Sequence, residues 1–424
     1  MNSNGISASD YRQWMAHLRS LPAYALVTTG RTGSDFLQSL LDSHPEVLTF
    51  NGHTMVHTEF FETAASFKHK PVSARDAADE FVGRYLYKLI SRYDIQEGKD
   101  RLGENGDESF TLDTHEFKTH VLGLLGGAEV TTKTFLLAVY GAYNLCLGHD
   151  LLQTRIFFHH PHLLDEFGEF RKDFPQTGVV VTTRDPRANF VSHVEHFRRY
   201  SERHDNEHHL YVCLKMILED SMPMEHSGLR YVAVRLEDLP HEATLIKFSE
   251  WLGITYHDCL LRSTWAGLDW HGDRISGRTF ASTGWSPTRT ENRWRERLGM
   301  MDQYVLNFLL NARLEHYRYP CRPTHWWDVV LVACLLPLPM KHERRFLSVR
   351  YVWRQLRKGT LMALSQLAVT PYFYAKRVRL CYRHYVHALR GRGFSGPWVG
   401  CPESLSPLAK NGHQGASAIP DVVR

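Results

Sequence analysis

Apolar positions along the chain fall into short runs that end at glycine or charge and are followed by helical stripes. The first run, Tyr24-Ala-Leu-Val-Thr-Thr29, is rich in β-formers and stops at Gly30 and Gly33, after which Phe36, Leu37, Leu40 and Leu41 recur at helical spacing. This predicts strand, tight loop and helix. A second unit runs from Gly178-Val-Val-Val-Thr-Thr183 through Arg184-Asp-Pro-Arg187 into a stripe of Phe190, Val191, Val194 and Phe197. A third pairs a strand within Leu229 to Leu239 with a stripe of Leu245, Phe248, Trp251 and Leu252. Fully apolar strands that alternate with helices predict an α/β fold, a parallel sheet flanked by helices on both faces.

Between these units the pattern is less regular. Residues 58–128 read as helical, with a polar stretch, Gln96 to Asp107, expected to be a surface excursion. Residues 269–297, rich in Gly, Ser, Thr, Arg and Trp without a period, read as a long loop over a site. After Pro320, Trp, Tyr and Leu interleave with Arg. The expected layout is a lead-in over 1–21, an α/β domain over 22–320, a basic, aromatic helical extension over 321–394 and a disordered tail over 395–424.

With 43% hydrophobic and 23% charged residues, the 424-residue chain is neither collagen-like, low-complexity nor globally disordered. The formal net charge of +4 conceals a partition: residues 321–424 carry net +12 and residues 1–320 net −8. An acidic body with a basic tail asks for a partner. Seven scattered cysteines without a C-x-x-C pair point to reduced thiols. Asp10, Arg12, His17 and Arg19 interrupt the region where an export signal would be apolar, and the longest apolar stretch, Trp326 to Met340, is broken by Asp328, Pro337 and Pro339. A cytoplasmic protein is expected, able to lie on the cytoplasmic face of a membrane.

In Thr28-Thr-Gly-Arg-Thr-Gly-Ser34 a strand enters a glycine turn and then a helix, so backbone N–H groups converge where an anion is stabilised. Arg31 adds fixed charge, and Thr32 and Ser34 add hydroxyls. The loop lacks the G-x-x-x-x-G-K-[ST] lysine, which disfavours a nucleotide kinase or GTPase. At the second unit, Arg184 with Ser192 eight residues later places a cation and a hydroxyl two helical turns apart, fit to grip one phosphate.

Together with Leu40-Leu-Asp-Ser-His-Pro-Glu-Val47, Arg235-Leu-Glu-Asp-Leu239, Phe248-Ser-Glu-Trp-Leu-Gly-Ile254 and Glu291-Asn-Arg-Trp-Arg295, these motifs resemble, in order, those of sulfotransferases that use 3′-phosphoadenosine 5′-phosphosulfate (PAPS). The resemblance spans about residues 22–318 and implies a P-loop-like fold. It implies donor binding by Gly30, Arg31, Thr32, Gly33, Ser34, Asp35, Arg184, Ser192, Arg293 and Trp294, with Arg31 stabilising charge and Lys133 resembling a strand-borne lysine that faces donor or acceptor. Many relatives carry Gly-Glu after H-P-x-V, the Glu serving as general base; here the dipeptide is Gly52-His53, two residues later. His53 is the first candidate base, with Glu59 and His57 as alternatives.

No metal is expected: His53/His57 and His193/His196 have helical spacing but no H-E-x-x-H pattern or third ligand. Neither Ser34 nor Ser192 sits in a nucleophile elbow. The implied reaction moves a sulfuryl group from PAPS to a hydroxyl of a carbohydrate or lipid-linked acceptor; a small lipid alcohol, a protein tyrosine, or an inactive scaffold are the alternatives. The tail over 326–392 is expected on an anionic membrane surface, or else docked on the acidic body. No nucleic-acid motif accompanies its charge.

Overall fold

The computed structural model describes residues 6–61, 72–162, 164–200, 206–219, 228–273, 294–357, 360–391 and 396–400. Helix α1 (Ala8–Ser20) opens at a capping box between Ser7 and Asp10. Then follow β1 (Ala23–Val27), α2 (Ser34–Leu41), β2 (Val47–Leu48), α3 (Ala74–Arg84), α4 (Leu86–Leu89), α5 (Thr114–Leu125), α6 (Thr132–Cys146), β3 (Ile156–His162) and α7 (Leu164–Asp173). The second half continues with β4 (Gly178–Thr183), α8 (Pro186–Tyr200), α9 (Glu207–Glu219), β5 (Tyr231–Arg235), α10 (Glu242–Leu252), a hairpin of β6 (Thr264–Trp265) and β7 (Leu268–Asp269), α11 (Trp294–Arg297), α12 (Met300–Leu309) and α13 (Asn311–His316). The extension supplies α14 (Trp326–Leu335), α15 (Val349–Leu356), α16 (Thr360–Leu389) and β8 (Trp398–Val399).

The main sheet is parallel, ordered β2-β3-β1-β4-β5-β8. Strands β1, β4 and β5 are buried at every position, as their unbroken apolar runs require. The chain leaves β1 toward β3 on one side and later crosses to β4 on the other. The crevice at the carboxyl ends of these three strands is therefore the topological switch point, where α/β sheets bind ligands. All three strand–helix units read from the sequence form, with β1 ending two residues earlier than its apolar run because Thr28 already turns into the loop.

Two apolar cores flank the sheet. One joins β1–β5 to α2, α5, α6 and α7. The other joins α8, α9, α12 and α13 to the extension: Phe308 stacks on Tyr385 at 5.5 Å, with Leu380 and Cys381 buried beside them. Each such buried side chain contributes about 1.5–3 kcal/mol. Thr370 hydrogen-bonds Glu207 of α9 at 2.5 Å, and Arg383 pairs with Glu219 of the same helix. The boundary expected near 320 is thus bridged by a shared core, and the extension docks on the body with opposite charges facing. The tail expected from 395 also departs from disorder, since Trp398–Val399 completes the sheet beside β5; residues 401–424 lie outside the described residues. Among the described residues no helix is long and apolar enough to cross a membrane.

Candidate functional site

The loop between β1 and α2 is built from left-handed residues. Gly30, Arg31 and Gly33 have φ of 86°, 53° and 93°. Such a turn curls backbone N–H groups toward one point at the N-terminus of α2. Gly33 has no substitute: a Cβ there would sit 2.4 Å from Leu236. Thr28 and Thr32 hydroxyls meet at 2.7 Å, and Thr32 reaches Thr182 of β4 at 2.7 Å, so the loop is tied to the neighbouring strand. Arg31 extends from this turn to Asp273 at 3.0 Å.

Arg184 leaves the carboxyl end of β4 beside the same loop. Burial pushes its guanidinium pKa down, Glu237 and Asp185 oppose this, and Arg31 is close enough to add to the lowering. Two cations therefore converge across the β1/β4 crevice. Beneath them lies His193 of α8, buried, its Nε2 at 3.2 Å from the Thr29 carbonyl. Burial, and then Arg31, pull its pKa down to about 4, so it is neutral and braces the loop by hydrogen bonding rather than by charge.

A second polar group faces this crevice from β3 and the segment after β2. Strand alternation puts His160 and His162 on one face of β3, and His53 stacks on His162 with centroids 4.9 Å apart. Gln38 of α2 donates its amide N–H to the Phe50 carbonyl at 2.7 Å, which turns its Oε1 to His160 Nδ1 at 2.9 Å. His160 must then carry its proton on Nδ1, and its Nε2 accepts from His162 Nδ1 at 3.3 Å. The chain of bonds leaves His162 Nε2 as an acceptor. His162 itself has φ of 65°, a strained conformation for a residue with a Cβ.

Around Gly52 (φ 76°) lie two fully buried lysines. A Cβ on Gly52 would stand 2.9 Å from Lys88 Nζ and 3.1 Å from Lys99 Nζ. Lys99 pairs with Glu97 at 2.6 Å and lies 3.8 Å above the Trp265 ring. Burial, followed by Lys88, pulls His53 down to about 3. Burial, followed by Glu97, pushes Asp35 up to about 7.

A model of the sulfotransferase family matches residues 24–258, more than half the chain and every strand and loop just described up to β5 and α10. The chain belongs to the sulfotransferase family. Among solved structures, it is similar to a sulfotransferase domain from the Synechococcus PCC 7002 olefin synthase, at 16% identity over 65% of this chain and 88% of that one (TM-score 0.38). It is also similar to a sulfotransferase domain from the curacin biosynthetic pathway, at 12% identity over 71% and 99% (TM-score 0.36). No curated protein matches it.

In this sulfotransferase, Gly30, Arg31, Gly33, Ser34 and Arg184 lie around one crevice, and Ser192 lies half-buried on α8 next to His193. Several expected site residues do not. Thr32 spends its hydroxyl between Thr28 and Thr182. Asp35 lies near the Glu97–Lys99 group, where burial and then Glu97 disfavour its carboxylate form. Lys133 is in the first turn of helix α6, not on a strand, with its Nζ 4.9 Å from the Phe174 ring. Phe174 packs on Phe157, which pairs with Ala23 at the start of β1, so Lys133 lies toward the amino ends of the strands and the loop at their carboxyl ends. Trp294 is buried under Arg187, whose guanidinium stacks on it at 4.2 Å, and belongs to the second core. Arg293 and the side chain of Glu59 lie outside the described residues.

Lys88, Lys99, His160, His162 and His193 were missed. The stretch Gln96 to Asp107, expected on the surface, instead delivers Glu97, Lys99 and the fully buried Leu102 to the interior. Its signal was the set of turn glycines, Gly98, Gly103 and Gly106, all at positive φ, which fold the segment back on itself.

Proposed function

We propose that this sulfotransferase takes its sulfuryl group from PAPS and passes it to a hydroxyl of a carbohydrate or lipid-linked acceptor. The observation that carries the reading is the convergence of the left-handed Gly30–Gly33 turn, Arg31 and Arg184 on one crevice faced by the His53–His162 pair. The turn and Arg31 would hold the 5′-phosphosulfate, and Arg184 with Ser192 the 3′-phosphate. Arg31 remains charged throughout and so stabilises the leaving phosphate without donating a proton.

The acceptor proton goes to the stacked imidazoles. His53 and His162 are both neutral, and His162 Nε2 is kept as an acceptor by the chain through His160 to Gln38. Lys88 and Lys99, held in a dry wall, supply positive charge for the sulfuryl oxygens as they become more negative. Calorimetric titration with 3′-phosphoadenosine 5′-phosphate tests the donor assignment: micromolar binding is expected, and absence of binding at millimolar nucleotide sinks it.

The outer face of the extension supports a peripheral membrane location on an anionic surface. Trp326, Val330, Val349 and Trp353 are 78%, 61%, 85% and 59% exposed, beside exposed Arg350, Arg354 and Arg357. Aromatics with adjacent cations suit an anionic lipid interface. Co-sedimentation with phosphatidylserine vesicles should occur and weaken in the Trp326→Ser/Trp353→Ser variant; a wild-type protein left in the supernatant would contradict it.

A further inference from the structure

We propose that His57, His159 and Glu166 form a zinc(II) site that fastens the turn after His53 to β3 and α7. The two histidines of the 53/57 spacing part company in the fold. His53 joins His160 and His162 on one face of β3, while His57 meets His159 on the other, their centroids 6.2 Å apart. Glu166, from the first turn of α7, completes the group. One ligand atom from each residue lies within 4.8 Å of the others, and all three side chains are buried.

The outward contacts of these residues are compatible with metal-binding lone pairs facing inward, for His159 in the tautomer whose Nδ1–H donates to the Tyr140 oxygen. His57 Nε2 stands 3.2 Å from Asp173 Oδ2, which also accepts from Thr132 Oγ1 at 2.5 Å; the carboxylate accepts a hydrogen bond from Nε2–H. His57 Nδ1 is then the acceptor nitrogen, and it faces Glu166 Oε1 at 3.4 Å. His159 Nδ1 lies 2.7 Å from the Tyr140 hydroxyl, while its Nε2, wholly buried, has no hydrogen-bond partner. Glu166 is aimed by three donors: the His57 N–H at 2.7 Å, the Thr58 N–H at 2.8 Å and the Thr58 hydroxyl at 2.5 Å.

An imidazole lone pair facing a carboxylate in a dry site is repulsive unless a cation stands between them. His159 Nε2 has no hydrogen-bond partner, and a metal ion among the three groups satisfies it together with His57 Nδ1 and the Glu166 carboxylate. Two imidazoles and one carboxylate, each imidazole oriented by a carboxylate or hydroxyl behind it, form a donor set suited to zinc. With bonds of about 2.1 Å the ligand atoms of a tetrahedral site stand roughly 3.4 Å apart, so the rings pivot inward on loading. The remaining position takes water. The turn so fixed is a single π-helical turn, Val56–Phe60, a geometry weak in itself that gains from an anchor. The site's role is to position His53, three residues upstream of that turn, and not to touch the transferred group.

The test uses the full chain without a histidine tag, loaded with zinc(II) chloride and passed over a chelating resin. Elemental analysis should find one zinc per chain, and absorption at the zinc edge should show nitrogen and oxygen ligands at about 2.0–2.1 Å. The Asp173→Asn variant, with all three ligands intact, should bind zinc about 10- to 100-fold more weakly in competition with a chromophoric chelator. The His159→Gln variant should retain none. A wild-type protein that emerges free of zinc overturns the proposal whatever the variants do, as does a sulfur-dominated edge spectrum or full retention by a folded His159→Gln protein.

Discussion

The two sides of the crevice are built by different means. On the loop side, backbone does most of the work: three residues with positive φ, the start of α2, and two arginines that each leave or follow a strand end. On the histidine side, side chains do it. His53, Lys88, Lys99 and the β3 pair His160 and His162 arrive from four segments, and the lysines are balanced by Glu97 and Asp94 in a dry wall. A backbone cradle keeps its dipoles when a neighbouring side chain is replaced. A buried side-chain network does not, because each lost member leaves another charge or lone pair unsatisfied. The loop side should therefore tolerate change as graded loss of binding, and the histidine side should fail abruptly.

The largest expected effect separates the two. His53→Ala combined with His162→Ala should lower turnover by about 10²- to 10⁴-fold, read as radiolabelled sulfate moved from PAPS to extracted glycans and lipids, with nucleotide affinity unchanged. Weakened nucleotide binding in that variant would merge the two regions into one. Arg184→Ala should do the converse and weaken nucleotide binding by about 10- to 100-fold, the worth of a charge-assisted hydrogen bond. If calorimetry finds affinity intact, the 3′-phosphate assignment is wrong.

The smallest effect concerns pH. Asp35 is raised from 3.8 to about 7, so the folded protein holds a proton that the unfolded chain releases, and stability declines as pH rises through that window. His53 is lowered from 6.5 to about 3, so the unfolded chain takes up a proton that the folded protein refuses, and stability rises with pH across that range. The slopes oppose each other between about pH 4 and 6.5. Asp35→Asn should expose the rising slope in denaturant midpoints; a pH profile identical to wild type would show that Asp35 is not coupled to folding.

The same contrast governs what the sequence discloses. The loop side was legible because strand, turn and helix are contiguous: Thr28 to Ser34 and Arg184 to Ser192 each carry cation, hydroxyl and helix start within nine residues. The histidine side was legible only at Gly52-His53. Lys88 reads as one cation in a helical stretch, and Lys99 sits in a polar run whose burial depends on Trp265, far along the chain. His159, His160 and His162 share one strand, and period-two alternation assigns them to opposite faces, but which partners meet each face is a property of the assembled sheet. Lys133 shows the reverse error, a plausible local motif carried by helix α6 away from the crevice. The extension was legible in composition and not in placement, since its apolar residues serve both the second core and the exposed face.

Strand β8 has a bearing on the order in which the protein can finish folding. Until residue 399 has been synthesised and has cleared the ribosome, Ala233 and Val234 lack their parallel partners, Trp398 and Val399. A nascent chain thus presents an unpaired β5 edge throughout the synthesis of α14, α15 and α16, a state in which edges recruit other chains. Completion of the sheet therefore waits on the last strand to be synthesised.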